Sequence, residues 1–338
     1  MNKTTITTVG AWATKSALDD PAATVVGLLE AGANMCSIML NDFRAADSSV
    51  PFVTHDPELV IALADACHAA GIGVSLTSWI MPYRQFITDA AAQLLPLLEA
   101  TRSSLLIWDA EELWVRAPGG MSHAGAASLI ADLFGSTPMG LTAIVHANTD
   151  ALSGLAQVCR TWLPQCYATT NEGSMKPETA VNVGLYTWRK KFGEPDAWNP
   201  GLAAYALPAT PADYMQPCID QAVAAGLSSV CYWSHGQIAR RPDVVAFMAG
   251  IMATHEATHD AGSVMPVLDI EQLPSGTSVH PVGLVQSMLA WWGFDPGAID
   301  GKPGANTLAA VLAFQRSRPR CTASGVVDGQ TWWELLSS

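Results

Sequence analysis

The chain has 338 residues, of which 49% are hydrophobic and 14% charged, a globular composition with a large core and room for about two domains. Its net charge of −13 lies in residues 1–278, because Lys302, Arg316, Arg318 and Arg320 balance Asp295, Asp300, Asp328 and Glu334 in the remainder. That acidity argues against nucleic acid as a partner of the larger part, and no run of about 18 apolar residues suggests a membrane span.

In chain order, Thr5–Thr14 reads as a first strand, followed by a helix over Ala17–Ala33 that starts near Asp19-Asp20-Pro21. Strands at Met35–Asn41, Ile72–Trp79, Leu105–Glu111, Gly140–His146, Leu163–Ala168, Leu202–Leu207 and Ser229–Trp233 come next. Helices at Pro57–Ala70, Tyr83–Ala100, Ser122–Phe134, Ala151–Arg160, Pro177–Phe192, Pro211–Ala225 and Pro242–Ala253 follow them in turn. Eight such units, each of about 30 residues, predict a parallel sheet closed into an α/β (β/α)8 (TIM) barrel. An open doubly wound sheet is the alternative, although no G-x-G-x-x-G follows the first strand.

In a closed barrel, function gathers where the strands end. Those ends carry Trp12, Asp42, Trp79, Asp109, Glu111, His146, Tyr167, Glu172, Tyr205 and Trp233. Indoles that stack on sugar rings, together with carboxylates, describe a carbohydrate cleft. Asp109-Ala110-Glu111 is the most pointed of these signals. Alternation along a strand puts both acids on one face and Glu112 on the other, and two adjacent carboxyls raise the pKa of one of them. Catalysis is therefore assigned to Glu111 and Asp109. Trp12, Asp42, Trp79, His146, Tyr167, Glu172 and Trp233 are candidate substrate contacts, and the second carboxylate is Asp109, Asp42 or Glu172.

Seven cysteines, an odd number without CxxC spacing, read as free thiols of a reducing compartment. Residues 256–277 lack periodicity and read as a linker. Residues 278–338 form a separate all-α module with helices at Val282–Leu289, Thr307–Arg318 and from Asp328. The expected domains are thus 1–255, a 256–277 linker, and 278–338.

The last module resembles the type 1 peptidoglycan-binding domain of bacterial and phage wall hydrolases. The resemblance rests on Val285-Gln286, Leu289, Gly293-Phe294, Ile299-Asp300-Gly301, Gly304, Thr307, Ala310-Val311, Phe314-Gln315, Gly325-Val326-Val327-Asp328-Gly329 and Thr331-Trp332. It implies three short helices that hold bacterial peptidoglycan near the enzyme. The Asp109-x-Glu111 pair is similar to the signature of GH25 muramidases and to the end of the D-x-x-D-x-D-x-E motif of GH18-like enzymes. By that resemblance Glu111 protonates the glycosidic oxygen, while Asp109 orients a 2-acetamido group or stabilises the oxocarbenium-like transition state. Ile107 departs from the motif, standing where it has an earlier Asp, and the first strand lacks the acid of GH25 enzymes. The layout resembles a phage endolysin. It implies a monomer without cofactor or metal, made in the host cytoplasm without a classical signal peptide and acting on the wall after release.

Two other readings compete. His255-Glu256-Ala257-Thr258-His259 fits H-E-x-x-H, the spacing of a zinc endopeptidase or amidase, but Met265 occupies the place of a third ligand. Alternatively, the barrel is an inactive wall-binding protein.

Overall fold

The structure, a computed structural model, describes residues 6–42, 51–117, 119–145, 149–167, 176–205, 207, 210–256, 268–270, 280–318, 321–327, 331 and 334–335. It divides into two compact units, Met1–Asp65 with Gly73–His255, and Ala66–Ile72 with Glu256–Ser338.

Through the first unit, with the end of α3 counted in the second, the elements run β1 (Thr8–Ala13), α1 (Lys15–Leu18), α2 (Pro21–Glu30), β2 (Met35–Met39), α3 (Pro57–Ala69), β3 (Gly73–Trp79) and α4 (Arg84–Ala100). They continue with β4 (Leu106–Asp109), α5 (Glu112–Val115), α6 (His123–Phe134), β5 (Met139–Ile144), α7 (Thr149–Val158), β6 (Thr161–Gln165) and α8 (Ala180–Phe192). The last are β7 (Ala197–Trp198), β8 (Gly201–Ala203), α9 (Pro211–Ala224), β9 (Ser229–Trp233), α10 (His235–Ile238) and α11 (Pro242–Glu256). All pairings are parallel, and the circuit β1-β2-β3-β4-β5-β6-β8-β9 returns to β1, with the two-residue β7 beside β6. This is the closed (β/α)8 barrel that the alternation predicts.

Local chemistry explains several helix starts. Asp20 caps α2 by accepting from the Ala23 N–H at 3.0 Å, with Pro21 at the first helical position. Ser122 caps α6 and Thr210 caps α9 in the same manner. The predicted helix over Ala17–Ala33 is instead two, because Asp20 and Pro21 start a new one after α1.

The barrel interior follows the period of two that strands impose. Ile107, Leu163 and Cys231 form one apolar layer with Trp12 and Met39. Two residues further along the same strands stand Asp109, Gln165 and Trp233. Trp12 fits because Gly201 faces it: a Cβ there would sit 3.2 Å from the indole. The indole N–H donates to Thr77 Oγ1 at 3.2 Å, and Thr77, Ser37 and Ser75 complete a buried hydroxyl chain with separations of 2.6 and 3.0 Å. The opposite faces meet the helices, as where Trp108 packs edge-on against Phe134 of α6. Six of the seven cysteines are buried.

The second unit contains β10 (Leu268–Asp269), α12 (His280–Trp291), α13 (Ala305–Ser317) and β11 (Val326–Val327). Its core joins Ile270, Val282, Val285, Leu289, Val311, Phe314, Val327 and Leu335. Leu268–Ile270 fall within the stretch read as a linker, yet β10 pairs antiparallel with β11 and Ile270 is core. Such a short pairing has no sequence periodicity to betray it. Residues 331 and 334–335 are helical, and the rest of the expected third helix lies outside the described residues.

Two buried glutamines organise this unit in the same way. Gln286 accepts from the Asp300 and Gly301 N–H groups and donates to Lys302 O and Thr307 Oγ1. Gln315 accepts from the Ser324 and Gly325 N–H groups and donates to Val326 O and Thr331 Oγ1. In both cases the glycine has positive φ, and the threonine follows it at the same spacing. Each carboxamide thus replaces the backbone partners that a tight turn lacks.

Candidate active site

At the C-terminal end of the barrel strands lies a cavity of about 190 Å³ lined by Trp79, Asp109, Glu111, Ile144, Gln165, Tyr167, Tyr205 and Trp233. Six separate strands or their following turns contribute, so only the closed barrel brings these side chains together.

Asp109 closes β4 beside Trp79 of β3 and Thr142 of β5, and it is 3% exposed. The strand ends there, two residues earlier than the sequence predicts. The Ala110 N–H still bonds to Thr142 O, and then the chain turns out at Glu111, whose carbonyl accepts from the Trp114 and Val115 N–H groups. The two acids line the same cavity although alternation no longer holds at the second. Glu112 faces outward and pairs with Arg116 at 3.0 Å.

Gln165 Nε2 donates to Asp109 Oδ1 at 3.2 Å. Burial, reinforced by the charge of Glu111, holds the Asp109 carboxyl well above the usual carboxylate range, against the lowering effect of that hydrogen bond. Burial also raises the Tyr167 phenol, and the nearby Asp109 and Glu111 add to the effect. Tyr167 is therefore a neutral hydroxyl at physiological pH. It meets Tyr205 edge-on, with ring centroids 6.1 Å apart. The cavity thus combines two carboxyls, one carboxamide, two phenols and two half-buried indoles, and among the described lining residues it has no cation. Such a site suits a neutral, hydroxyl-rich ligand whose reaction develops positive charge.

Of the residues expected at this mouth, Asp109, Glu111, Trp79, Tyr167, Tyr205 and Trp233 are brought together. Trp12 is not a platform: at 1% exposure it belongs to the apolar layer that underlies the site, because Gly201 leaves room for its ring inside the barrel. Asp42 is exposed and does not line the cavity; its neighbours are Lys15 at 3.9 Å and His55 at 3.6 Å. His146 and Glu172 lie outside the described residues. Helix α11 runs to Glu256, and the rest of the H-E-x-x-H stretch through His259 also lies outside them. The sequence reading does not single out Gln165 or Ile144. The signal for Gln165 was present, since it lies two residues before Tyr167 and so shares its strand face.

Residues 279–335 match the family model described as a putative peptidoglycan binding domain. No curated protein sequence matches the chain. Among solved structures, the xylanase–α-amylase inhibitor protein in complex with trehalose is 12% identical, with a TM-score of 0.50 over 73% of this chain and 98% of its own. A GH18 chitinase from Pseudoalteromonas aurantia is 11% identical, with a TM-score of 0.50 over 72% of this chain and 100% of its own. A GH113 β-1,4-mannanase is 10% identical, with the same TM-score over 75% and 100%. These likenesses establish a shared barrel fold. Among the described residues no helix is long and apolar enough to cross a membrane.

Proposed function

We propose that the chain is a glycoside hydrolase that cuts the glycan strands of peptidoglycan, with Glu111 as general acid and Asp109 as its partner. The observation that carries this reading is the meeting of Asp109, Glu111 and Tyr167 in one aromatic-walled cavity at the barrel mouth. The peptidoglycan-binding match at residues 279–335 supports the choice of polymer.

In this reading the indoles of Trp79 and Trp233 hold a sugar ring over the acids. Glu111 gives its proton to the bridging oxygen as the C1–O bond breaks. The positive charge at C1 is met by the carbonyl oxygen of the substrate's 2-acetamido group, which Asp109 and the Tyr167 hydroxyl orient. Water then adds at C1 and returns a proton to Glu111, so that acid and proton balance over one turnover. The sugar chemistry allows an N-acetylmuramidase or an N-acetylglucosaminidase, and an endolysin-type protein that reaches the wall after release fits the domain pairing.

Mass spectrometry of digested peptidoglycan tests this. The wild type should create new reducing ends, and Glu111→Gln should lower their rate at least ~10²-fold, the scale of a lost general acid. A second reading, wall binding without catalysis, draws on the fold's occurrence in an inhibitor protein. It predicts pelleting with cell walls and no new reducing ends from the wild type.

A further inference from the structure

Among the described residues, neither the strand neighbour below Asp109 nor the one beside it gives its carboxyl a hydrogen bond. Two residues below it on the same face is Ile107, in the apolar layer with Trp12, Met39, Leu163 and Cys231. Beside it on β5, Thr142 gives its hydroxyl to Leu163 O at 2.8 Å. The side-chain hydrogen bond that reaches Asp109 among the described residues comes from the next strand but one, β6, from Gln165 Nε2, itself only 5% exposed. Gln165 is fixed by the register of β6 against Ile144 of β5 and Gly201 of β8.

Among the described residues, the titratable groups around this carboxyl are Glu111 from its own segment, Tyr167 after β6 and Tyr205 after β8; β3 and β9 present the uncharged Trp79 and Trp233. Because the charge of Glu111 opposes ionisation of Asp109, the two carboxyls compete for a proton. For Glu111 to act as the acid, that proton must be on Glu111 and Asp109 must be ionised. Burial works against this arrangement, whereas a donated N–H favours it, because an ionised carboxylate only accepts.

Resting on the glycosidase reading, we propose that Gln165 is a positioning residue whose carboxamide holds Asp109 and biases the shared proton toward Glu111. It touches no reacting atom and acts through Asp109 alone.

Two measurements on the full chain test it. The first needs no turnover: 13C NMR of Asp-labelled protein follows the Asp109 carboxyl, assigned by its loss in Asp109→Asn. Gln165→Met, which removes the donor at similar volume, should move that titration up by roughly one pH unit. The second is the pH profile of kcat on soluble glycan strands. Gln165→Met should lower kcat about tenfold with KM nearly unchanged and move the alkaline limb to higher pH. Gln165→Glu, able to donate only when protonated, should lose activity first on the alkaline side.

An unmoved Asp109 titration in Gln165→Met overturns the proposal, as do wild-type limbs in both variants or a loss confined to melting temperature. Should Gln165→Met fail to fold, the limb of Gln165→Glu decides. A wild type that releases no reducing ends overturns the glycosidase reading instead, and the titration still judges Gln165.

Discussion

The indole rings of Trp12 and Trp233 lie 5.9 Å apart and tilted by 53°, yet only Trp233 lines the cavity. Trp12 is buried core, hydrogen-bonded to Thr77 and backed by Gly201. Trp12→Ala should therefore cost about 3–5 kcal/mol of stability, seen as an earlier unfolding transition in urea. Trp233→Ala should leave most of that stability and instead lower kcat/KM about tenfold, the order of one lost aromatic contact. If the two variants exchange these effects, the layering of the barrel interior is wrong.

Asp109 should impose a stability cost that function requires. Its carboxyl titrates well above the usual range in the fold, whereas the unfolded chain ionises near a pKa of about 3.9. Below that pH both states are protonated and the group is neutral in its effect. As pH rises from there toward the folded value, the unfolded state loses its proton first and the fold loses stability. Asp109→Asn should consequently melt higher than the wild type at pH 7 and equally near pH 3, while its activity falls sharply. A variant that melts lower at neutral pH would show that the carboxyl is needed for structure.

The paired glutamines of the C-terminal unit offer a third measurement. Gln286 is 1% exposed and serves both turn N–H groups and the Thr307 hydroxyl. Gln286→Leu keeps the volume but leaves the buried Gly301 N–H without its acceptor, at about 1–3 kcal/mol. The full chain should then bind wall material less well in a pelleting assay as temperature rises, while soluble glycan strands are still cut at the wild-type rate. Undiminished pelleting up to the wild-type melting point would mean that the turn finds other donors and acceptors.

Much of this architecture is carried by local sequence. The apolar runs, helix caps and glycine stops repeat at a spacing that suits only strand-helix units, and Asp109-x-Glu111 stands out as two acids after a buried run. The strand ends are less legible: β4 stops at Asp109 because the chain turns out into α5, so the shared face of Asp109 and Glu111 comes from the fold and not from alternation. Trp12 and Trp233 look equivalent in the sequence, both being tryptophans near strand ends. Burial separates them, and burial depends on Gly201, which is nearly two hundred positions away from the first. The partnership of Gln165 with Asp109 is likewise invisible along the chain. Local spacing can fix which face of a strand a side chain takes, but which distant side chains meet there depends on barrel closure and register, and these exist only in three dimensions.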